Sequence, residues 1–304
     1  MAKIPFEKPP LELGEFIPLL KKRGLIIADE TELSHDLQFI GYYRLSGYMF
    51  PFQIVEKGVN THVFQKGTKY KTIKEHYIFD RKLRLHVIDA IERIEISLRV
   101  AITSRMSNLE KDPFWHLKDK HFDDKEKHQS FLTILTEDIK DSSELFLHHY
   151  NNKYKQGQPP AWMAFELLSF GALSSIYHNL TEINQKVIAG TFKMQPKAFK
   201  SWIRSLSFVR NVCAHHQRLW NRNFPFNPSL SGFEKHFYIG NGQQQDIDKF
   251  YVRAAILQML MKTISPDSKW GDSLKKIIED HATVSIVDMG FPIDWEKRTF
   301  WNNK

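Results

Sequence analysis

The sequence predicts a mainly α-helical fold, on three observations. Apolar residues recur at three- and four-residue steps from Thr72 to Met106, where Ile73, Tyr77, Leu83, Val87, Ile91, Ile94, Leu98, Ala101 and Ile102 mark one helix face. The same period returns from Lys197 to Trp220, and Pro225 and Pro228 close the stretch beyond it. No internal repeat or heptad array is present, so neither a solenoid nor a coiled coil is expected. At 304 residues, 42% hydrophobic and 26% charged, the chain is long and apolar enough for one large globular domain or two modest ones.

Taken in order, residues 1–15 read as an extended lead-in, with Pro5, Pro9, Pro10 and, just beyond, Pro18. Leu19–Lys22 and Leu33–Ile40 are short helix candidates. Ile40–Phe52 is aromatic and broken by Gly41, Gly47 and Pro51. Thr61–Tyr70 is a short strand or loop. The Thr72–Met106 helix, or two helices joined near Asp80, carries the i,i+4 pair Glu95 and Arg99 on a polar face. Asp112-Pro113 ends it, a charged run follows, and Phe131–Tyr150 reads as a helix. The run NNKYKQGQPP is a linker. Trp162–Leu180 is apolar, with Gly171, Ala172, Ser174 and Ser175 suited to close helix packing. Gly240–Gln245 is a loop and Ile247–Ile264 another helix. The expected division is a helical lead-in packed on the core over 1–70, a helical domain over 71–265 and an extension over 266–304.

A net charge of +8 leans toward a polyanionic partner such as nucleic acid. One cysteine, Cys213, forms no internal disulfide and fits a reducing compartment. The start, MAKIPFEKPPLELGEF, lacks the apolar run of a signal peptide, and no window approaches the apolar length of a membrane span. A cytoplasmic location is therefore expected. No phosphate-binding glycine loop and no Gly-x-Ser-x-Gly elbow is present, so nucleotide hydrolysis and esterase chemistry have no foothold.

The stretch FVRNVCAHHQRLWNR, Phe208–Arg222, carries the chemistry. Turning about 100° per residue on a helix separates two faces. Trp202, Leu206, Val209, Cys213 and Trp220 form a core face. Arg204, Ser207, Asn211, His215, Arg218 and Arg222 cluster opposite, with Arg210 on the flank. Solvated faces are generally rich in Lys and Glu, and this one has neither. Arg, Asn and His without a carboxylate make an anion-receptive surface, because Arg forks to phosphate oxygens and His titrates near neutrality. Spacing alone is weak: Arg210–His216 and Arg81–His86 fit the same interval.

RNVCAHHQRLWNR resembles the Arg-Asn-x-x-x-His signature of HEPN ribonucleases. More narrowly, the chain is similar to the Abi-like family of bacterial abortive-infection proteins, the AbiD/AbiF type. The blocks that carry the resemblance are Leu37–Tyr48, Phe79–Arg99, Pro159–Ser174, the histidine motif and Met289–Trp295. It implies an HEPN-like helical bundle with added N- and C-terminal helical elements, a role in phage defence, and metal-free RNA cleavage with no cofactor, leaving a cyclic phosphate and a 5′-hydroxyl. Arg210, Asn211 and His215 match the motif, and His216 its usual second histidine.

In that chemistry His215 is the general acid or base, Arg210 stabilises charge on the scissile phosphate and Asn211 orients the histidine or the ribose. Arg204, Arg218 and Arg222 hold neighbouring phosphates. One motif supplies one histidine, so a homodimer pairing two motifs is expected, with His216 as the same-chain alternative. The rival readings are a non-catalytic module that grips a partner non-coding RNA, a metal site at Cys213, His215 and His216, and a protein-docking sensor using the aromatics of Tyr42–Phe52. On a helix Cys213 and His215 diverge by about 200°, which disfavours the metal site.

Overall fold

A run of 41 residues, Tyr70–Glu110, forms one unbroken helix because its apolar period never lapses. In the computed structural model, which describes residue 5 and residues 9–230 and 247–301, this is α4. The helices before it are α1 (Leu13–Lys22), α2 (Glu30–Phe39) and α3 (Tyr42–Met49), and a hairpin joins β1 (Gln53–Glu56) to β2 (Val59–Phe64). After α4 come α5 (Lys125–Asp141), α6 (Leu145–Lys153), α7 (Ala161–Ala164), α8 (Phe170–Asn179), α9 (Glu182–Thr191) and α10 (Pro196–Ala214). Beyond 231–246, in which the expected Gly240–Gln245 loop lies outside the described residues, follow α11 (Phe250–Ile264) and α12 (Trp270–Glu279). The fold is mainly α, as expected.

Two compact units divide the chain at Lys82 and around Ile277–Ser285. The first unit holds residues 1–82 and 277–285. In it the start of α4 is tied down by acids. Asp36 accepts from the Tyr70 hydroxyl at 2.6 Å and pairs with Lys74 at 2.7 Å. Asp80 accepts from the Tyr48 hydroxyl at 2.5 Å, so this buried carboxylate is satisfied and α4 has no joint there. The β1–β2 hairpin escapes the sequence pattern. Its turn is set by Lys57 and Gly58, both with positive φ (49° and 79°), which matches the twist of the flanking strands. Of the Tyr42–Phe52 aromatics, Tyr48 is buried and Tyr43 and Phe50 are exposed.

The second unit holds 83–276 and 286–304. Val87, Ile91, Ile94, Leu98 and Ile102 of α4 are buried in it, each contributing roughly 1.5–3 kcal/mol of burial free energy. Two expected helices are split here. The Phe131–Tyr150 stretch breaks where Ser142 adopts an extended backbone between α5 and α6. Trp162–Leu180 breaks at Ser169, whose hydroxyl accepts from Ala172 N and caps α8. Arg99 of α4 spans that second break: Nε donates to Phe165 O at 3.0 Å and Nη2 to Leu168 O at 2.9 Å.

Beneath Phe165 lies His116, fully buried. Its ring meets Phe165 edge-on at 5.7 Å and Trp115 at 6.1 Å. Neither ring nitrogen finds a hydrogen-bond partner among the described residues. Burial therefore pushes its pKa down to about 4, against a smaller upward pull from Asp112. No described helix is long and apolar enough to cross a membrane.

Candidate functional site

Helix α10 begins with Pro196 at its first turn, where the missing N–H costs nothing. Trp202, Leu206, Val209 and Cys213 are all buried, so the core face read from the sequence is the core face. Arg204 and Asn211 are exposed on the other side, and Arg210 is half-buried.

The helix ends at Ala214, short of the expected Trp220. His215 is the C-cap, and His216 takes the left-handed conformation with φ 55°. The bonds that close the end are His216 N to Cys213 O at 3.0 Å and Gln217 N to Val212 O at 2.8 Å. This is a Schellman motif with a histidine in the place that glycine usually takes. Asn211 O accepts from His215 N at 3.0 Å, so Arg210, Asn211 and His215 occupy the last turn and its cap. His215 and His216 are both exposed.

Because the helix stops there, Arg218 and Arg222 do not continue its polar stripe. Leu219 and Trp220 turn into the core and pull the chain back along α10. Arg222 Nε donates to Arg218 O at 2.8 Å and its Nη2 to Gln217 Oε1 at 3.2 Å, which braces the returning loop. Further on, Ser229 O accepts from Trp202 Nε1 at 3.0 Å, and Arg204 stacks over Phe226 at 4.3 Å.

The motif also has an acidic neighbour that its own helix does not supply. Glu95 of α4 bonds Arg99 Nη2 at 3.2 Å, and both are largely buried. Burial raises the Glu95 carboxyl above its ordinary range, and the Arg99 and Arg210 guanidiniums pull it back down. Arg210 thus stands in the field of a carboxylate from another helix.

A family model described as Abi-like protein matches residues 35–221. The chain belongs to the Abi-like family. The match runs from the Leu37–Tyr48 block to one residue before Arg222, and leaves the Met289–Trp295 block outside it. No curated protein and no solved structure matches the chain.

Within this Abi-like chain, the second Arg–His interval has a structural explanation. His86 Nε2 meets Trp270 O at 2.9 Å while Trp270 Nε1 donates to His86 O at 2.9 Å, and the rings stack at 4.7 Å. Burial holds His86 below its ordinary pKa. Cys213 lies buried on the core face, away from the exposed His215 and His216, so these three do not assemble as a ligand set. Among the described residues no group of three His, Cys, Asp or Glu side chains gathers in a form that could hold a metal.

Sequence reasoning missed one further residue that shapes the site. Arg253 of α11 is fully buried and is satisfied by oxygens other than carboxylates. It donates to Ser205 Oγ at 3.2 Å, Lys249 O at 2.9 Å, Phe226 O at 2.6 Å and Ile247 O. It also stacks over Phe224 at 4.8 Å. Burial lowers its pKa to about 10, which leaves it charged. A single guanidinium therefore ties the chain that follows the motif to the middle of α10. A lone arginine inside the apolar run FYVRAAILQM was the available signal.

Proposed function

We propose that this chain is an endoribonuclease of phage defence that cuts RNA without a metal ion. The observation that supports this most is the joint placement of Arg210, Asn211 and His215 at the open C-terminal end of α10 in an Abi-like protein. RNA carries its own nucleophile, the ribose 2′-hydroxyl. Its oxygen attacks the adjacent phosphorus and the bond to the 5′-oxygen breaks, leaving a 2′,3′-cyclic phosphate and a 5′-hydroxyl. One group takes the 2′ proton and another returns a proton to the leaving oxygen. His215 serves one of these roles, and the His215 of a second copy, or His216, serves the other. Arg210 stabilises the charge that builds on the phosphate, and it stands in the field of the Glu95 carboxyl.

Single-turnover cleavage measured beside equilibrium RNA binding tests this. His215→Ala should cut cleavage by about 10²-fold or more and leave affinity nearly intact. Arg210→Ala should damage both. Cleavage should survive chelation of divalent ions, and loss on chelation would reject the metal-free step. RNA binding without any cleavage by the parent protein would instead support a non-catalytic module that holds a partner RNA. A chain that stays monomeric at micromolar concentration with RNA present would remove the dimer and leave His216 as the second group.

A further inference from the structure

Between α5 and α8 the second unit opens a groove that the proposed reaction does not use. Its deeper part encloses about 560 Å³, inside the range of small-molecule sites. The walls are mostly apolar: Phe131 and Ile134 on the α5 side and Leu168, Ala172 and Ile176 on the other, with Asp138 also lining the groove. A second chamber of about 410 Å³ shares Lys127, Ser175 and Asn179 with the first and is lined also by His178 and Arg204. Ala172 and Ser175 of α8 line this groove, and Ser175 is exposed, while Gly171 faces Ser207 of α10 in the close packing expected of these small residues.

The polar chamber is cationic. Arg204 is exposed, and Lys200 lies close enough for its Nζ to donate to His178 O at 2.8 Å. Lys127 is paired at 2.8 Å with Asp124, both of them solvent-facing, so that pair is weak and exchangeable. His178 Nδ1 donates to Ser174 O at 2.7 Å, which fixes the tautomer and leaves Nε2 as an acceptor. Burial, with Lys200 and Arg204 adding to it, holds that ring below its ordinary pKa and hence neutral at pH 7. Arg204 precedes His215 by eleven residues on α10, roughly 16 Å along the axis.

We propose that this groove holds one unstacked ribonucleotide of the RNA strand, with its base against the apolar wall and its phosphate at Arg204 and Lys127. The assignment rests on the ribonuclease reading for the identity of the ligand. An apolar slot, a fixed acceptor and neighbouring cations together match a base, a sugar hydroxyl and a phosphate. A peptide helix would fill the slot but would leave the cations unanswered. Splayed bases held on apolar and aromatic side chains are the usual way single-stranded RNA is gripped.

Ser175→Trp fills the junction of the two chambers from an exposed helix position. Binding is measured in the His215→Ala background, so the strand stays intact, with a short RNA in which one abasic nucleotide is moved along the sequence. One abasic position should weaken binding by about tenfold. Ser175→Trp should weaken the intact RNA by a similar factor and abolish the position dependence. A flat scan, or a scan that Ser175→Trp leaves unchanged, would overturn the assignment. As a second measurement that needs no variant, each ribonucleoside 5′-monophosphate is titrated into the parent protein. At least one should shift the NMR signals of the Ala172 and Ile176 methyls, and silence from all four would overturn the assignment as well. A flat scan with cleavage still dependent on His215 fails the groove and keeps the ribonuclease. Nucleotide binding at Ala172 with no cleavage of any RNA does the reverse.

Discussion

Acid should destabilise this protein through His116, and the size of the effect follows from its surroundings. Unfolded, the imidazole takes up a proton near pH 6.5; folded, in its sealed aromatic box, it holds out to about 4. Between those values the unfolded chain binds more protons than the folded one, so stability falls as pH drops from about 6.5 toward 4. The whole interval is worth about 3 kcal/mol, at 1.36 kcal/mol per pH unit. Most of that, about 2.5 kcal/mol, should be lost between pH 7 and about 4.5. His86, His121 and His178 are also held below their ordinary pKa by burial and act in the same direction, so the variant comparison isolates His116. His116→Phe keeps a flat ring against Phe165 and removes two unpartnered nitrogens. It should be at least as stable as the parent at neutral pH and should remove about 2.5 kcal/mol of the acid loss. Urea titrations of both proteins at several pH values measure this. Parallel pH profiles for parent and variant would refute the reasoning.

Other substitutions probe other parts. His216→Gly relieves a left-handed histidine and should stabilise the fold by about 1 kcal/mol in denaturant titrations; a loss of similar size would mean that contacts of the ring outweigh the strain. Arg253→Leu removes a buried cation and orphans the carbonyls around it, so it should cost about 3 kcal/mol, and amide exchange should rise first in residues 224–229. A uniform rise in exchange would count against a local tie. His86→Ala should cost about 2 kcal/mol, by loss of the ring stack on Trp270 and of the Nε2 bond to Trp270 O while the Trp270 Nε1 bond to the main-chain O of residue 86 stays, and should leave cleavage per folded molecule unchanged. A His86 variant that folds but cannot cleave would revive the Arg81–His86 interval as a site.

What could be read from the sequence was periodic and local. Trp202, Leu206, Val209 and Cys213 declare the buried face of α10 by spacing alone, and the structure buries all of them. The end of that helix was hidden, because the residue that turns the chain is His216 and not the glycine that usually announces such a turn. Arg218 and Arg222 were placed on a helix face that stops before reaching them. Glu95 and Arg99 looked like a solvent pair. Arg99 also donates to the carbonyls of Phe165 and Leu168, 66 and 69 residues onward, and no local pattern reports such partners. The β1–β2 hairpin depended on the backbone of Lys57 as much as on Gly58, and lysine carries no turn signal.

The Schellman closure of α10 bears on how such a protein is kept in check. Its backbone bonds hold Asn211, His215 and Gln217 in register, and the buried Leu219 and Trp220 anchor the chain immediately afterwards. The motif is therefore already ordered before any RNA arrives, and little entropy is left to lose when it does. On the ribonuclease reading, local folding of the motif is not the safety catch. Restraint in a resting cell has to act from outside that turn, by covering the end of α10 or by keeping two copies apart.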